Sequence, residues 1–370
     1  MGLKNRFLIL ARHRLFFSVM WKSKVRLIWL VIGAMSMSAC SSQRFPVSDH
    51  SDGSVFYNED RSVNFDRGLL DMIKWKFSGE EEVWPDAVVD NVEPNFSKQL
   101  GQGEGAVTFI NHATEFVQFE KFTVLTDPVF SERVSPFSWM GPKRHREPGA
   151  SLAELPKIDV VIVSHNHFDH MDIDSLVAIE KKDQPIFIVP LGNKAFLEEN
   201  GINHVVELDW WQSYSSDAGF DITLVPMQHW SARGIFDRFE TLWGGYVVES
   251  SGLKVLFAGD TGYNKQFKEI EEKFGAMDLS LLPIGAYEPR WFMKDQHMNP
   301  EEAVQAHLDL RSKLSIGMHF GAFQLTDEGI EDPATDLVKS LVSKNIDLKD
   351  FIVPKNGQTT FFESAKPDVK

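Results

Sequence analysis

Three histidines and two aspartates fall within eight positions in the stretch Ser164-His165-Asn166-His167-Phe168-Asp169-His170-Met171-Asp172. Imidazole nitrogens and carboxylate oxygens are the ligands of zinc and other first-row divalent metals, and packing alone has no use for so many of them at one point. His165 and His167 are two apart, so extended backbone points both rings to the same side. Asp169 and His170 follow where the chain must turn, and they can aim at a second point. One short loop can therefore serve two metal ions. Two ions about 3.5–4 Å apart can share a hydroxide, lower its pKa and stabilise charge on a phosphoryl oxygen. Such a site hydrolyses without a serine or cysteine nucleophile, and in-line attack on a phosphodiester phosphorus would expel an alcohol.

These residues need strands to position them. The run Asp159-Val160-Val161-Ile162-Val163 reads as a strand buried on both faces, which leads directly into the loop. Three further apolar runs end in the same way: 222–226 leads to His229, 254–258 leads through Gly259 to Asp260, and 314–318 leads to His319. Loops at strand ends converge on an α/β scaffold. Residues 106–110, 115–119 and 122–126 read as an opening β-meander with a turn at 111–114. His112 and Asp127 fall at its strand ends, either supporting the metal ligands from behind or only stabilising turns. Asn299-Pro300-Glu301-Glu302 has the form of a helix start with a capping box, placing His297 just outside a helix N-terminus, where anions are favoured. Phe65, Leu69, Leu70, Ile73 and Phe77, with Trp75 nearby, recur at near-helical spacing. The leading expectation for that face is core packing; the alternative is a membrane or acyl-chain contact. The loop 128–150 carries Arg133, Lys143, Arg144 and Arg146, which either meet phosphate or face water.

The His-x-His-x-Asp-His stretch resembles the signature of the metallo-β-lactamase superfamily. Leu125-Thr126-Asp127-Pro128, Met140-Gly141-Pro142-Lys143-Arg144, Leu208-Asp209-Trp210-Trp211, Gln228-His229-Trp230, Ala258-Gly259-Asp260-Thr261-Gly262-Tyr263 and the run from Leu282 through Glu288-Pro289-Arg290-Trp291 to Met293 narrow this. Together they look like the N-acyl-phosphatidylethanolamine-hydrolysing phospholipase D branch, from about residue 64 onward. The resemblance implies a four-layer αββα sandwich. It implies that His165, His167 and His229 hold one ion, that Asp169, His170 and His319 hold the other, and that Asp260 bridges them. The ions would be two zinc, although the same donors accommodate iron or manganese. Asp260 and His297 would be catalytic, with Gln296 and His297 binding phosphate. A phospholipid would be the substrate, N-acylethanolamine and phosphatidic acid the products, and a homodimer the assembly. Asn111 stands where the relatives usually have Gly before His; asparagine tolerates positive φ better than most residues.

Residues 1–39 read as a secretory signal: Lys4, Arg6, Arg12, Arg14, Lys22, Lys24 and Arg26 with no acid among them, then a short apolar stretch from 27 to 39. That stretch is short of the about 20 residues a membrane-spanning helix needs. Cys40, the chain's single cysteine, follows small residues as in a lipoprotein lipobox, so lipidation there is expected, with Ser41 pointing to the outer membrane of a bacterial cell envelope. Residues 40–64 then read as a flexible linker and 65–370 as the hydrolase domain. A net charge of −15, more negative still without the signal, excludes a nucleic-acid partner and makes a covalent lipid tether a better membrane attachment than a basic patch. Other readings are a metal-dependent lactonase or esterase acting on a soluble phosphorylated substrate, and a non-catalytic envelope lipoprotein. All seven ligand positions being filled disfavours the last.

Overall fold

The computed structural model describes residues 44–63, 65, 69–78 and 81–364. The expected signal and lipidation site, 1–39 and Cys40, lie outside the described residues. The chain divides into two compact units, Met1–Ser54 and Val55–Lys370. In the first, residues 44–54 form a turn in which Ser48 and Ser51 bridge.

The second unit begins before the expected boundary at 65. Phe56 is buried, and Asn58, read as linker, is buried too. The chain here is fixed by tertiary contacts rather than left as a spacer. The helix α1 (Leu69–Ser78) follows. Four of its apolar residues stay out of the core: Leu70 and Phe77 are 80% and 89% exposed, and Met72 and Ile73 are also exposed. Trp75 packs tilted on Phe292 with ring centres 5.0 Å apart and donates Nε1–H to Asp327 Oδ2 at 2.9 Å.

Among the described residues two seven-stranded mixed sheets face each other, flanked by helices, in an αββα sandwich. The first half supplies β1 (Glu104–Asn111), β2 (Thr114–Gln118), β3 (Thr123–Thr126), β4 (Val160–Ile162), β5 (Ile186–Pro190) and β6 (Val205–Leu208), with α2 (Ile173–Asp183) and α3 (Lys194–Glu199) between them. The second half supplies β7 (Ser213–Ser216), β8 (Phe220–Val225), β9 (Gly245–Ser250), β10 (Leu253–Phe257), β11 (Leu279–Pro283), β12 (Leu314–Met318) and β13 (Phe351–Ile352). Its helices are α4 (Gln266–Phe274), α5 (Arg290–Met293), α6 (Pro300–Asp309) and α7 (Asp332–Ser343). The last strand, β14 (Thr359–Glu363), returns to the first sheet and pairs antiparallel with β1.

Strand direction places the site. In the first sheet β1, β2 and β3 alternate, then β3, β4, β5 and β6 run parallel. In the second, β8, β9 and β10 alternate, and β10, β11, β12 and β13 run parallel. Two reversals restore direction, so β1 runs with β3 and β4, and β8 runs with β10 to β12. The C-terminal ends of these strands carry His112, Asp127, the 164–171 loop, His229, Asp260 and His319. Aliphatic runs such as β4 and β11 are buried throughout because both faces are covered. Between the sheets, Tyr246 of β9 donates its hydroxyl to Val163 O at 2.9 Å, and Gly244 N donates to Ser164 O at 3.0 Å.

Candidate metal centre

The 164–171 loop is a tight turn in which the amides of His170 and Met171 both donate to His167 O. The turn splits its ligands as their spacing predicts. His165 Nε2 lies 2.8 Å from His167 Nδ1, and His229 Nε2 lies 3.4 Å from the same nitrogen. On the other side Asp169 Oδ2 meets His170 Nε2 at 3.4 Å and His319 Nε2 at 3.3 Å. Asp260 stands between the groups: its Oδ2 is 3.2 Å from His170 Nε2 and 3.8 Å from His229 Nε2, and its Oδ1 is 3.2 Å from His319 Nε2. All seven expected ligands thus meet at one buried point.

The backbone is unusual where it delivers these groups. His112, Asp127 and His319 have φ of 50°, 30° and 59°, a region that non-glycine residues occupy mainly where surrounding structure enforces it. His319 N donates to His112 O at 2.7 Å, tying two of them together. Gly259, at φ 60°, lets the Asp260 turn approach the loop, since a Cβ there would sit 2.5 Å from Ser164 Cβ.

Other residues orient the ligands from behind. Asp127, fully buried, accepts from His170 Nδ1 at 2.6 Å, from Ser164 N at 2.7 Å and from Ser164 Oγ at 2.6 Å, leaving His170 Nε2 facing the site. His229 Nδ1 donates to Gln296 O at 3.0 Å. His112 sits closer than a background residue would, with Nε2 3.2 Å from Asp169 Oδ2 and its ring 4.1 Å from that of His319. It belongs to the same group of converging donors as Asp169, His170 and His319.

Electrostatics fit a cation. Burial pushes His167 down to about 4 and His229 and His297 down to about 3, leaving their nitrogen lone pairs free. Burial would raise Asp260 and Asp169, but the neighbouring imidazoles, His170 foremost, hold both well below the usual carboxylate range. Burial likewise opposes charging His319, yet Asp260 and Asp169 raise it to about 9. Buried His167 Nε2, His170 Nε2 and Asp260 Oδ1 have no hydrogen-bond partner among the described residues, which is costly for polar atoms unless something else satisfies them. A hard-to-borderline donor set of imidazole and carboxylate with no thiolate fits a divalent metal.

Gln296 and His297 flank this point unequally. His297 Nδ1 is buried 3.8 Å from Asp260 Oδ2, whereas the Gln296 side chain is occupied by Trp230 Nε1–H at 2.8 Å and Met293 Sδ at 3.2 Å. The capping box of α6 is formed by Asn299 and Glu302 alone, so His297 does not cap the helix. A cavity of about 290 Å³ opens onto the site. Its floor includes His167, Asp169, Asp260, His297 and His319, and its walls include Met72 and Trp75 of α1, Trp230, Phe292 and Leu325.

Several contributors lie outside the motifs legible in the chain. Asn58 grips the His229 backbone from both sides, donating Nδ2–H to its carbonyl at 2.8 Å and accepting its amide at 3.1 Å. Arg233 donates Nη1–H to the carbonyls of Asn166 and Met171 at 3.0 and 2.8 Å, fastening the ligand loop to the one that carries His229. Its place shortly after Gln228-His229-Trp230 was the available signal. The basic residues of 128–150 turn instead to their own chain. Arg144 is buried and donates to Asn111 Oδ1 at 2.7 Å and to Val129 O at 3.0 Å, so Asn111 has a specific partner; Arg146 pairs with Asp90 and Glu331.

Residues 123–320 match the model of the "Beta-lactamase superfamily domain" family. The chain is 41% identical to N-acyl-phosphatidylethanolamine-hydrolyzing phospholipase D 1 of Caenorhabditis elegans over 66% of this chain and 71% of that protein. It is 37% identical to an uncharacterized protein of Mycobacterium tuberculosis over 88% of this chain and 86% of that one. Among solved structures, a metallo hydrolase of the archaeon Ignicoccus hospitalis superposes with TM-score 0.54 at 21% identity, covering 71% of this chain and all of that one, a likeness of fold.

Proposed function

Since the chain belongs to the metallo-β-lactamase superfamily and is a metal-dependent hydrolase, we propose that it is a dinuclear phosphodiesterase of the phospholipase D type. Its substrate is N-acyl-phosphatidylethanolamine or a related phospholipid, and the ions are zinc. The observation that carries this reading is the meeting of six His and Asp side chains around Asp260 at the floor of a largely apolar-walled cavity. Similarity to the worm phospholipase D supplies the substrate class.

His165, His167 and His229 would hold one ion and Asp169, His170 and His319 the other, with Asp260 between. A bound metal pair supplies a nucleophilic hydroxide near neutral pH and Lewis-acid stabilisation of a phosphoryl oxygen. The protein's own residues do the rest. His297, neutral at physiological pH, donates an N–H hydrogen bond to a phosphoryl oxygen over the floor. Gln296 holds His229 through its carbonyl and keeps Trp230 upright beside His167, where the rings are 4.4 Å apart. The apolar walls exclude water other than the reactant. At about 290 Å³ the cavity takes a headgroup and the first carbons of a lipid; the acyl chains lie outside it, against the exposed Leu70, Ile73 and Phe77 of α1. Hydrolysis breaks the bond between phosphorus and the ethanolamine oxygen. The hydroxyl of water joins phosphorus and its remaining proton goes to the leaving alcohol.

The test is mass-spectrometric product analysis of the metal-loaded protein with N-acyl-phosphatidylethanolamine in mixed micelles, beside Asp260→Asn. Release of N-acylethanolamine by the wild type, reduced at least about a hundredfold in the variant, is expected. No release from protein holding two ions per chain overturns the substrate assignment and directs the search to lactones and other soluble esters.

A further inference from the structure

Of the two imidazoles that would hold the second ion, His170 is anchored from behind and His319 is not. Asp127 Oδ2 lies 2.6 Å from His170 Nδ1. On the side of the first ion, Ser164 Oγ lies 2.9 Å from His165 Nδ1 and the Gln296 carbonyl 3.0 Å from His229 Nδ1. His319 turns Nε2 to Asp169 and Asp260, at 3.3 and 3.2 Å. Its Nδ1 is buried with no hydrogen-bond partner among the described residues. A neutral imidazole that gives Nε2 to a metal keeps its proton on Nδ1, and that N–H needs an acceptor.

His112 poses the complementary problem. Its ring lies 4.1 Å from that of His319, and its Nε2 lies 3.2 Å from Asp169 Oδ2. Buried against another imidazole, the ring carries a single proton. An ionised carboxylate only accepts, so that proton sits on Nε2 and Nδ1 is left with a lone pair. This nitrogen, too, is buried without a partner among the described residues. One buried donor and one buried acceptor thus stand on neighbouring rings, each costly while unsatisfied.

Both rings line a second cavity, about 10 Å³ in volume, with room for one water molecule. Trp84, Phe323 and Leu325 give it apolar walls, and Thr326 and Glu328 add polar groups. Glu328 is buried and fixed there by the amides of Tyr287 and Glu288, which donate to its carboxylate at 3.2 and 3.0 Å. A water in this cavity can accept from His319 Nδ1–H and donate to His112 Nδ1. Its second hydrogen is left for the oxygens of Thr326 and Glu328. Three hydrogen bonds are the usual complement of a buried water.

We propose that this cavity is the binding site of a single structural water, which links His319 Nδ1 to His112 Nδ1. His112 is thereby a positioning residue for the second ion: it holds Asp169 directly and His319 through the water. The inference rests on the metal centre and not on the identity of the substrate.

The test needs no substrate. A crystal structure of the zinc-loaded wild type, at a resolution that shows ordered water, is expected to place one about 2.6–3.2 Å from both Nδ1 atoms. His112→Gln keeps an N–H for Asp169 and removes the nitrogen that meets the water. His112→Phe removes both and keeps a ring against Phe323, whose centre lies 5.3 Å from that of His112. Both variants are titrated against a graded chelator, with ions per chain counted by plasma mass spectrometry. His112→Gln should release the ion at Asp169, His170 and His319 at about tenfold lower chelator, and His112→Phe at up to about a hundredfold lower. The ion at His165, His167 and His229 should leave both variants only at the wild-type chelator concentration. A cavity without water, or His319 Nδ1 donating to a protein carbonyl in the crystal, overturns the proposal. So does His112→Gln protein that matches wild type, because the bond to Asp169 would then suffice. Equal loosening of both ions overturns it as well, since that marks a merely structural role. Should phosphodiesters prove not to be substrates, the crystal and chelator results stand unchanged.

Discussion

Replacing Asp127 by asparagine changes one atom's chemistry and should empty half of the metal centre. The carboxylate receives three hydrogen bonds, from His170 Nδ1, Ser164 N and Ser164 Oγ. An amide has one accepting oxygen; if that oxygen keeps Ser164 N, the NH2 group faces His170. A donor cannot pair with the Nδ1–H, so His170 must move its proton to Nε2. That nitrogen points at Asp260 Oδ2, 3.2 Å away, and once protonated it has no lone pair for a metal. Loss of a partner behind a ligand typically costs ten- to a hundredfold in metal affinity, or about 1.4–2.8 kcal/mol. The effect should fall on the ion held by Asp169, His170 and His319 and spare the one held by His165, His167 and His229. Competition against a graded chelator, with metal content read by plasma mass spectrometry, separates the two. The expected result is one ion per chain lost at roughly ten- to a hundredfold lower chelator, with the fold intact by circular dichroism. Asp127→Asn protein that keeps both ions at wild-type chelator concentrations would refute the tautomer reasoning.

Two further outcomes follow from the same geometry. Asn58→Ala removes both hydrogen bonds to the His229 backbone and should cost about 1–3 kcal/mol of stability, measurable by chemical denaturation, together with weaker retention of the ion at His165, His167 and His229; an unchanged midpoint would show that water replaces the amide. Above about pH 7.5, where the lowered His167, His229 and His297 are neutral whether folded or unfolded, the metal-stripped protein should lose stability as pH rises. His319, raised to about 9 from 6.5, contributes stability that is complete below 6.5 and lost as pH climbs through 9. Asp169 and Asp260 are held low and contribute above the ordinary carboxylate value of 3.8, so they do not oppose that decline. Metal must displace the His319 proton, so affinity should rise over the same interval, by about tenfold per pH unit for each proton released. Melting temperatures at about pH 7.5 and about pH 9 with and without metal check both signs.

How much of this was legible in the chain depends on the range of each contact. The seven His and Asp positions could be read because each follows an apolar run at its end, and local spacing already fixes where a strand stops. The sandwich was readable through its signature for the same reason. Asn58 could not be read: its partner is 171 residues away, and nothing around it distinguishes a clamp from a turn residue. Periodicity found the helix α1 but not its surroundings. An apolar stripe looks the same whether it meets a core or the rim of a cavity, and here Leu70 and Phe77 stayed outside. Charge misled in the opposite direction at 144, where the arginine reaches inward to Asn111 and backbone carbonyls.

The antiparallel pairing of β14 with β1 sets a condition on when this protein can work. Glu104 pairs with Glu363, and Thr108 with Thr359, so the strand that delivers His112 to the site remains a sheet edge until residues 359–363 have been made. Contacts this distant in sequence form late and slowly. A ribosome-bound chain can hold the His165-to-His170 loop yet lack the opposing His319, and it cannot finish the sheet beneath either. Hydrolytic activity thereby waits for β14, the strand that closes the sheet beside β1.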